Sequence, residues 1–270
     1  MPYFRHDDVD LYFEEHGKGQ PFVFSHGLGG NLNQALELIG DLPGTHLILY
    51  DNRAHGRTKP LGDPAKLSFE VMANDVAALL DHLNLSRAFV GGVSMGAGIG
   101  LAFGLRYLQR VKGLVLSRPA WLDAPNPTHL SVFPVIAGLV ERFGLEQARR
   151  SFEQTVFYEG LRKKYPASAE SLLGLFDNQS SEAVVASFRA IPASVPVDSL
   201  DRLRTLKAPS LVLANRNDPI HPFELAKVLA DKLTGSCFHE FPSKSESVAA
   251  HYHQFRRLVI DFLGGRLPSG

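Results

Sequence analysis

Ser94 is the one serine of this chain set in a frame suited to nucleophilic chemistry. Gly92-Val93-Ser94-Met95-Gly96 lies between the apolar run Ala88-Phe89-Val90 and a glycine-spaced helical stretch that begins at Met95. A serine on a sharp strand-to-helix turn has its hydroxyl lifted clear of the sheet, and the next backbone N–H points at the same place. Glycine is required at 92 and 96 because a Cβ at either would collide where helix and strand approach. Gly98 and Gly100 continue that close-packing edge. Attack by such a hydroxyl on a carbonyl needs a base, a carboxylate to orient the base, and fixed donors for the oxyanion.

The elements that must position those parts alternate. Tyr3–Phe13 reads as a hairpin turning at Asp7-Asp8, and Pro21–Ser25 and His46–Tyr50 read as short strands buried on both faces. Phe69–Leu83 has helical periodicity with Ser68 as N-cap. Met95–Gln109 is expected as a helix, followed by a strand over Val111–Leu116. Ser210–Ala214 and Cys237–Phe241 read as the last two strands, and Pro222–Leu233 and Ser247–Leu263 as the last two helices. This order predicts an α/β fold with a mostly parallel, doubly wound sheet. Residues 121–205 break the rhythm, with helical patterns over Ser131–Phe143, Leu145–Phe157, Ala167–Phe176 and Ser181–Ile191 but no strand. The expected organisation is a core of residues 1–120 and 206–270. A helical cap, 121–205, is inserted before the last two strands and overhangs Ser94.

Composition narrows the function classes. The chain has 270 residues, 44% hydrophobic and 21% charged, which suits one large globular α/β domain with an insertion. Lys+Arg and Asp+Glu are both 28, so no global field draws nucleic acid or an anionic membrane. The single cysteine, Cys237, excludes an intrachain disulfide and a cysteine-rich metal site. The polar N-terminus has no apolar signal region, and no apolar run reaches the ~20 residues of a membrane helix. A cytoplasmic protein is expected, acting on a small molecule, with a homodimer left open.

Four segments together resemble the α/β-hydrolase superfamily. They are His26-Gly27-Leu28-Gly29-Gly30, Asp51-Asn52-Arg53-Ala54-His55-Gly56, the Ser94 frame, and Asn217-Asp218-Pro219, in the order that superfamily uses. The resemblance covers nearly the whole chain and is nearest to small capped esterases, lactonases and carbon–carbon bond hydrolases. It implies an oxyanion hole made by the backbone N–H groups of Leu28 and Met95, and Asp218 as the orienting acid. It also implies structural roles for His26, Asp51, Arg53 and His55. The superfamily's other acid position, after Val111–Leu116, reads Ser117-Arg118-Pro119-Ala120-Trp121 and has no carboxylate until Asp123.

The base departs from the pattern. Relatives carry a histidine about four residues after the proline ending the last strand, whereas here Pro242 is followed by Ser243-Lys244-Ser245-Glu246. Among His221, His239, His251 and His253, the reading chooses His251, one turn into the last helix beside the apolar stripe Val248, Tyr252, Phe255, Val259 and Phe262. His253 should face solvent, His239 lies inside a strand, and His221 reaches the site only if its loop curls back. The expected enzyme is a carboxylesterase-type serine hydrolase of a small apolar ester, lactone or thioester. Its catalytic set is Ser94, Asp218 and His251, with no cofactor and no metal. The alternatives are a ligand-binding or signalling protein that keeps the fold without efficient turnover, and a hydrolase of carbon–carbon bonds in diketones. Trp121 is expected to line the pocket, with further cap aromatics (Phe133, Phe143, Phe152, Phe157, Tyr158, Phe176).

Overall fold

The computed structural model describes residues 2–267. β1 (Tyr3–His6) and β2 (Val9–His16) make the expected hairpin. β3 (Gln20–Ser25) leads into α1 (Leu32–Ile39), β4 (Thr45–Tyr50) into α2 (Phe69–His82), and β5 (Ala88–Val93) into α3 (Met95–Arg106). β6 (Val111–Ser117) precedes a run of helical segments: α4 (Val132–Glu153), α5 (Val156–Lys164), α6 (Pro166–Leu173) and α7 (Ser181–Ala193). The chain then returns through β7 (Ser210–Ala214), α8 (Phe223–Lys232), β8 (Ser236–Glu240) and α9 (Val248–Leu263).

The described strands form one eight-stranded sheet ordered β1-β2-β4-β3-β5-β6-β7-β8. From β4 to β8 every pairing is parallel, and β1 and β2 form an antiparallel edge. Alternation along each strand sends neighbouring side chains to opposite faces. Phe22, Phe24, Leu47, Leu49, Val115, Leu211 and Leu213 pack on one face with α1 and α9. Val23, Ile48, Val90, Leu114, Leu116 and Val212 pack on the other with α2, α3 and α8. Fully burying one such side chain stabilises the fold by about 2 kcal/mol, which is why these strands are apolar throughout.

The segment between β6 and β7 is helical, as expected, but its divisions differ in part. The break read between Phe143 and Leu145 is present: Gly144 (φ 71°, ψ 167°) is non-helical and divides α4 into two helices, the second ending at Glu153 before α5 begins at Val156. The second helix, expected to reach Phe157, stops earlier because Thr155 caps α5 by accepting the Tyr158 N–H. Phe133 on α4 meets Phe188 on α7 edge-on, with ring centroids 5.2 Å apart. These helices share one continuous apolar core with α2 and α3. Among the described residues no helix is long and apolar enough to cross a membrane.

Candidate active site

Four strand ends meet at one crevice, the usual ligand position in parallel sheets. Ser94 after β5, Arg118 after β6, Asp218 and His221 after β7, and Ser243 and Lys244 after β8 line a single cavity of about 130 Å³. Gly27 and Leu28 after β3 form another wall, and Phe133 of α4, Leu172 of α6 and Leu175 in the turn after α6 cover it.

The elbow is held by backbone contact. A Cβ on Gly96 would lie 2.2 Å from the Ser25 carbonyl oxygen, and one on Gly92 2.5 Å from the same atom. Ser94 itself takes φ 57° and ψ −114°, a conformation costing ~1–3 kcal/mol for a residue with a side chain. Its N–H donates to the Ser117 carbonyl at 2.9 Å, tying the turn to β6. Met95 is the first residue of α3, so its N–H has no partner within the helix and points out of the positive end of the helix dipole.

The loop after β3 is braced from both sides. The Gly27 N–H donates to Gln34 Oε1 at 2.9 Å, and the Gly29 N–H to His55 Nε2 at 3.1 Å. Gly29 has φ 77°, and a Cβ there would press on Leu175. His26 donates from Nδ1 to the Gly27 carbonyl and accepts the Asn52 N–H on Nε2. Burial holds His26 down at about 4 and His55 at about 3, so both are neutral supports. Asp51 accepts the N–H groups of Leu32 and Arg57, and Arg53 forks onto Asp75 at 2.6 and 2.8 Å. These are the bracing roles expected of that turn.

Asp218 departs from expectation in its partner. Its Oδ2 accepts from His221 Nδ1 at 2.8 Å, and its Oδ1 accepts the N–H groups of Ile220 and His221 at 3.1 and 3.3 Å. This side-chain-to-backbone turn curls the chain back and carries His221 into the cavity. Burial opposes ionisation of Asp218, but His221, Arg118 and the Ile220 N–H outweigh it and hold the carboxyl well below the usual range. With Nδ1 donating to the carboxylate, the neutral His221 ring presents Nε2 as an acceptor.

The Asp218–His251 pair expected from the sequence is therefore replaced by Asp218–His221. His251 is buried, as its helical position predicted, and its Nδ1 donates to the Pro242 carbonyl at 2.8 Å. Its ring lies 4.9 Å from that of Phe241 and is not among the residues lining the cavity. Burial, then Arg118, lowers its pKa to about 4. Its Nε2 is buried with no partner among the described residues. His253 is exposed, as expected. Val248 is 54% exposed, so the buried stripe of α9 starts at His251 rather than at Val248.

Glu246, four residues after Pro242, stands where a histidine was sought. Its carboxylate accepts from the Ser243 N–H at 3.0 Å and from Asn217 Nδ2 at 3.4 Å, pinning the loop after β8 to the loop after β7. Trp121 does not line the cavity; it is buried against Phe69, with ring centroids 5.3 Å apart. Of the aromatics expected between residues 121 and 205, only Phe133 reaches the cavity, while Phe143 and Phe157 are exposed. The sequence reading missed Arg118 and Lys244. The signal available for Arg118 was its place immediately after a strand's carboxyl end, where it was scanned only for a carboxylate. Among the described residues no group of three or more His, Cys, Asp or Glu side chains is placed to hold a metal ion.

The family model for the alpha/beta hydrolase fold matches residues 20–253. RutD of Azorhizobium caulinodans, provisionally named a carbamate hydrolase, is 30% identical over 98% of this chain and 98% of its own. The 3-oxoadipate enol-lactonase 2 of Acinetobacter baylyi is 25% identical over 79% of this chain and 78% of its own. The solved structure of a thermophilic esterase from Thermogutta terrifontis superimposes with a TM-score of 0.69 and is 27% identical, covering 93% of this chain and 94% of that one.

Proposed function

The chain belongs to the α/β-hydrolase fold family and is a hydrolase, and from that premise we propose that it is a serine hydrolase of a small ester, lactone or carbamate. Ser94 is the nucleophile, His221 the base and Asp218 the acid that orients it. The observation carrying this reading is the 2.8 Å Asp218–His221 hydrogen bond on the wall of the cavity that Ser94 also lines. A carboxylate on Nδ1 fixes the tautomer that leaves Nε2 free to take a proton, and it stabilises the imidazolium that results. The helices α4 to α7 act as the cap.

In the reaction, Ser94 Oγ attacks the carbonyl carbon as its proton passes to His221 Nε2. The carbonyl oxygen becomes the oxyanion, held by the N–H groups of Leu28 and Met95. The imidazolium returns its proton to the departing alcohol or amine as that bond breaks, leaving an acyl-enzyme. Water, deprotonated by His221, then attacks the acyl carbon and releases the acid and free Ser94. Each oxyanion donor in such a hole typically contributes about 10²–10³ in rate. The names of the relatives, spanning a carbamate, an enol-lactone and an ester, agree with a carbonyl bearing an oxygen or nitrogen leaving group.

The discriminating test is labelling with a fluorophosphonate. The wild type and His251→Ala are expected to label at similar rates, while Ser94→Ala should not label and His221→Ala should label far more slowly. Slow labelling of His251→Ala beside normal labelling of His221→Ala would return the base to α9. No labelling of the wild type, with binding of ester analogues retained, would favour a binding protein built on this fold; Glu246 in the usual histidine place is the observation behind that second reading.

A further inference from the structure

The cavity holds two cations and two carboxylates, and their partnering is unequal. Both carboxylates are occupied. Asp218 accepts from His221 and two backbone N–H groups, and Glu37 accepts from the Tyr252 hydroxyl. The cations are not matched in the same way. Arg118 reaches Asp218 only at 3.5 Å, through one Nη, and its Nε is buried with no partner among the described residues. It also takes φ 46°, in the left-handed region, while its N–H donates to the Leu213 carbonyl at 2.7 Å. That backbone geometry sets its side chain at the crevice. Lys244, half-buried on the cavity wall, lies with Nζ 4.9 Å from the Tyr252 ring centre and makes no carboxylate contact among the described residues. The Ser243 hydroxyl, on a residue that also lines the cavity, is buried and lacks a partner among the described residues.

Burying a guanidinium Nε and a hydroxyl without partners is costly, and the cost is relieved when a ligand supplies the missing acceptor. Arg118 offers a planar fork and Lys244 a point charge, a set that suits a carboxylate. We propose that Arg118 and Lys244, with the Ser243 hydroxyl, form a carboxylate-binding subsite, so that the ester, lactone or carbamate cleaved at Ser94 carries its own carboxylate. This inference rests on the serine-hydrolase reading of the same site. The apolar wall of Phe133, Leu172, Leu175 and Ile220 receives the carbon chain.

The test compares 4-nitrophenyl butyrate with 4-nitrophenyl hemisuccinate, esters of similar size differing in one terminal carboxylate. Wild-type kcat/KM is expected to favour the hemisuccinate by about tenfold or more. Arg118→Met and Lys244→Met should each reduce that ratio at least fivefold, mainly through KM for the charged ester, and Arg118→Lys should retain more of it than Arg118→Met. A ratio near one in the wild type, or one unmoved in both variants, overturns the subsite. Should Arg118→Met not fold, Lys244→Met carries the same decision. Ser94→Ala separates the two claims. Loss of turnover in Ser94→Ala with an unresponsive ratio removes only the subsite. If Ser94→Ala still turns over, the nucleophile assignment falls, and succinate titrated into that variant by calorimetry decides the subsite alone. Tighter binding of inorganic phosphate than of succinate would reject the carboxylate.

Discussion

The turn after β5 and the loops after β7 and β8 sit on the same cavity but are built in different ways. At the first, three backbone segments touch: Gly92 and Gly96 close on the Ser25 carbonyl, and the Ser94 N–H reaches β6. No side chain there can be exchanged for another at a distance. Around the second region the parts are side chains on loops, held by Asp218, Glu246 and Asn217. An imidazole can arrive there from more than one place in the chain, provided that its free nitrogen reaches the nucleophile. Main-chain packing sets the place of Ser94, whereas side-chain partners set the place of the imidazole beside Asp218.

The comparison can be broken most severely at the serine. Ser94→Ala is expected to reduce kcat by at least about 10⁴-fold on any substrate found, with the melting temperature little changed; residual turnover near wild type would remove the elbow from catalysis. His221→Ala should follow with a loss of about 10³–10⁴ in kcat, and Asp218→Asn with about 10²–10⁴, because the wrong tautomer then faces Ser94. His251→Ala should leave kcat within about tenfold while lowering the melting temperature, since it removes a buried ring packed on Phe241. Equal losses from His221→Ala and His251→Ala would show that the two loops act as one unit.

Packing gives a second contrast, read by solubility and thermal melting. Gly96→Ala puts a methyl group 2.2 Å from a backbone oxygen and should prevent folding into soluble protein. Gly160→Ala, where nothing lies within 4 Å of the added carbon, should be neutral or stabilise α5 by up to about 1 kcal/mol.

Acid stability gives a separate contrast. His26, His55 and His251 are held by burial at about 4, 3 and 4, below the ordinary 6.5. In the unfolded chain they take up protons near 6.5, so between roughly pH 6.5 and 4 the unfolded state binds more protons than the folded one. Stability is therefore complete above that window and falls as pH drops through it. A melting temperature flat from pH 7 to 4.5 would mean that these rings take up protons in the fold as readily as in the unfolded chain.

Much of the molecule was legible in residue types alone. The strands β3 to β7 announce themselves as apolar runs because they are buried on both faces, and glycine spacing marks the elbow because only glycine permits that approach. His26, Asp51, Arg53 and His55 could be read as braces because they stand beside the motif glycines. Periodicity marked the break at Gly144 but could not place the end of the helix after it, which stops at Glu153 because Thr155 caps α5. Nor could it place Trp121, whose position at a strand end pointed to the cavity while its bulk went to the core against Phe69. The places of Ser94, Leu28 and Met95 were legible because each depends on local structure: one turn, one loop and one helix start. The imidazole that meets Asp218 was decided only in three dimensions. It depends on two hydrogen bonds that fold Ile220 and His221 back onto the carboxylate, and on the packing that commits His251 to the Pro242 carbonyl. Such side-chain partnerships leave no period in a sequence.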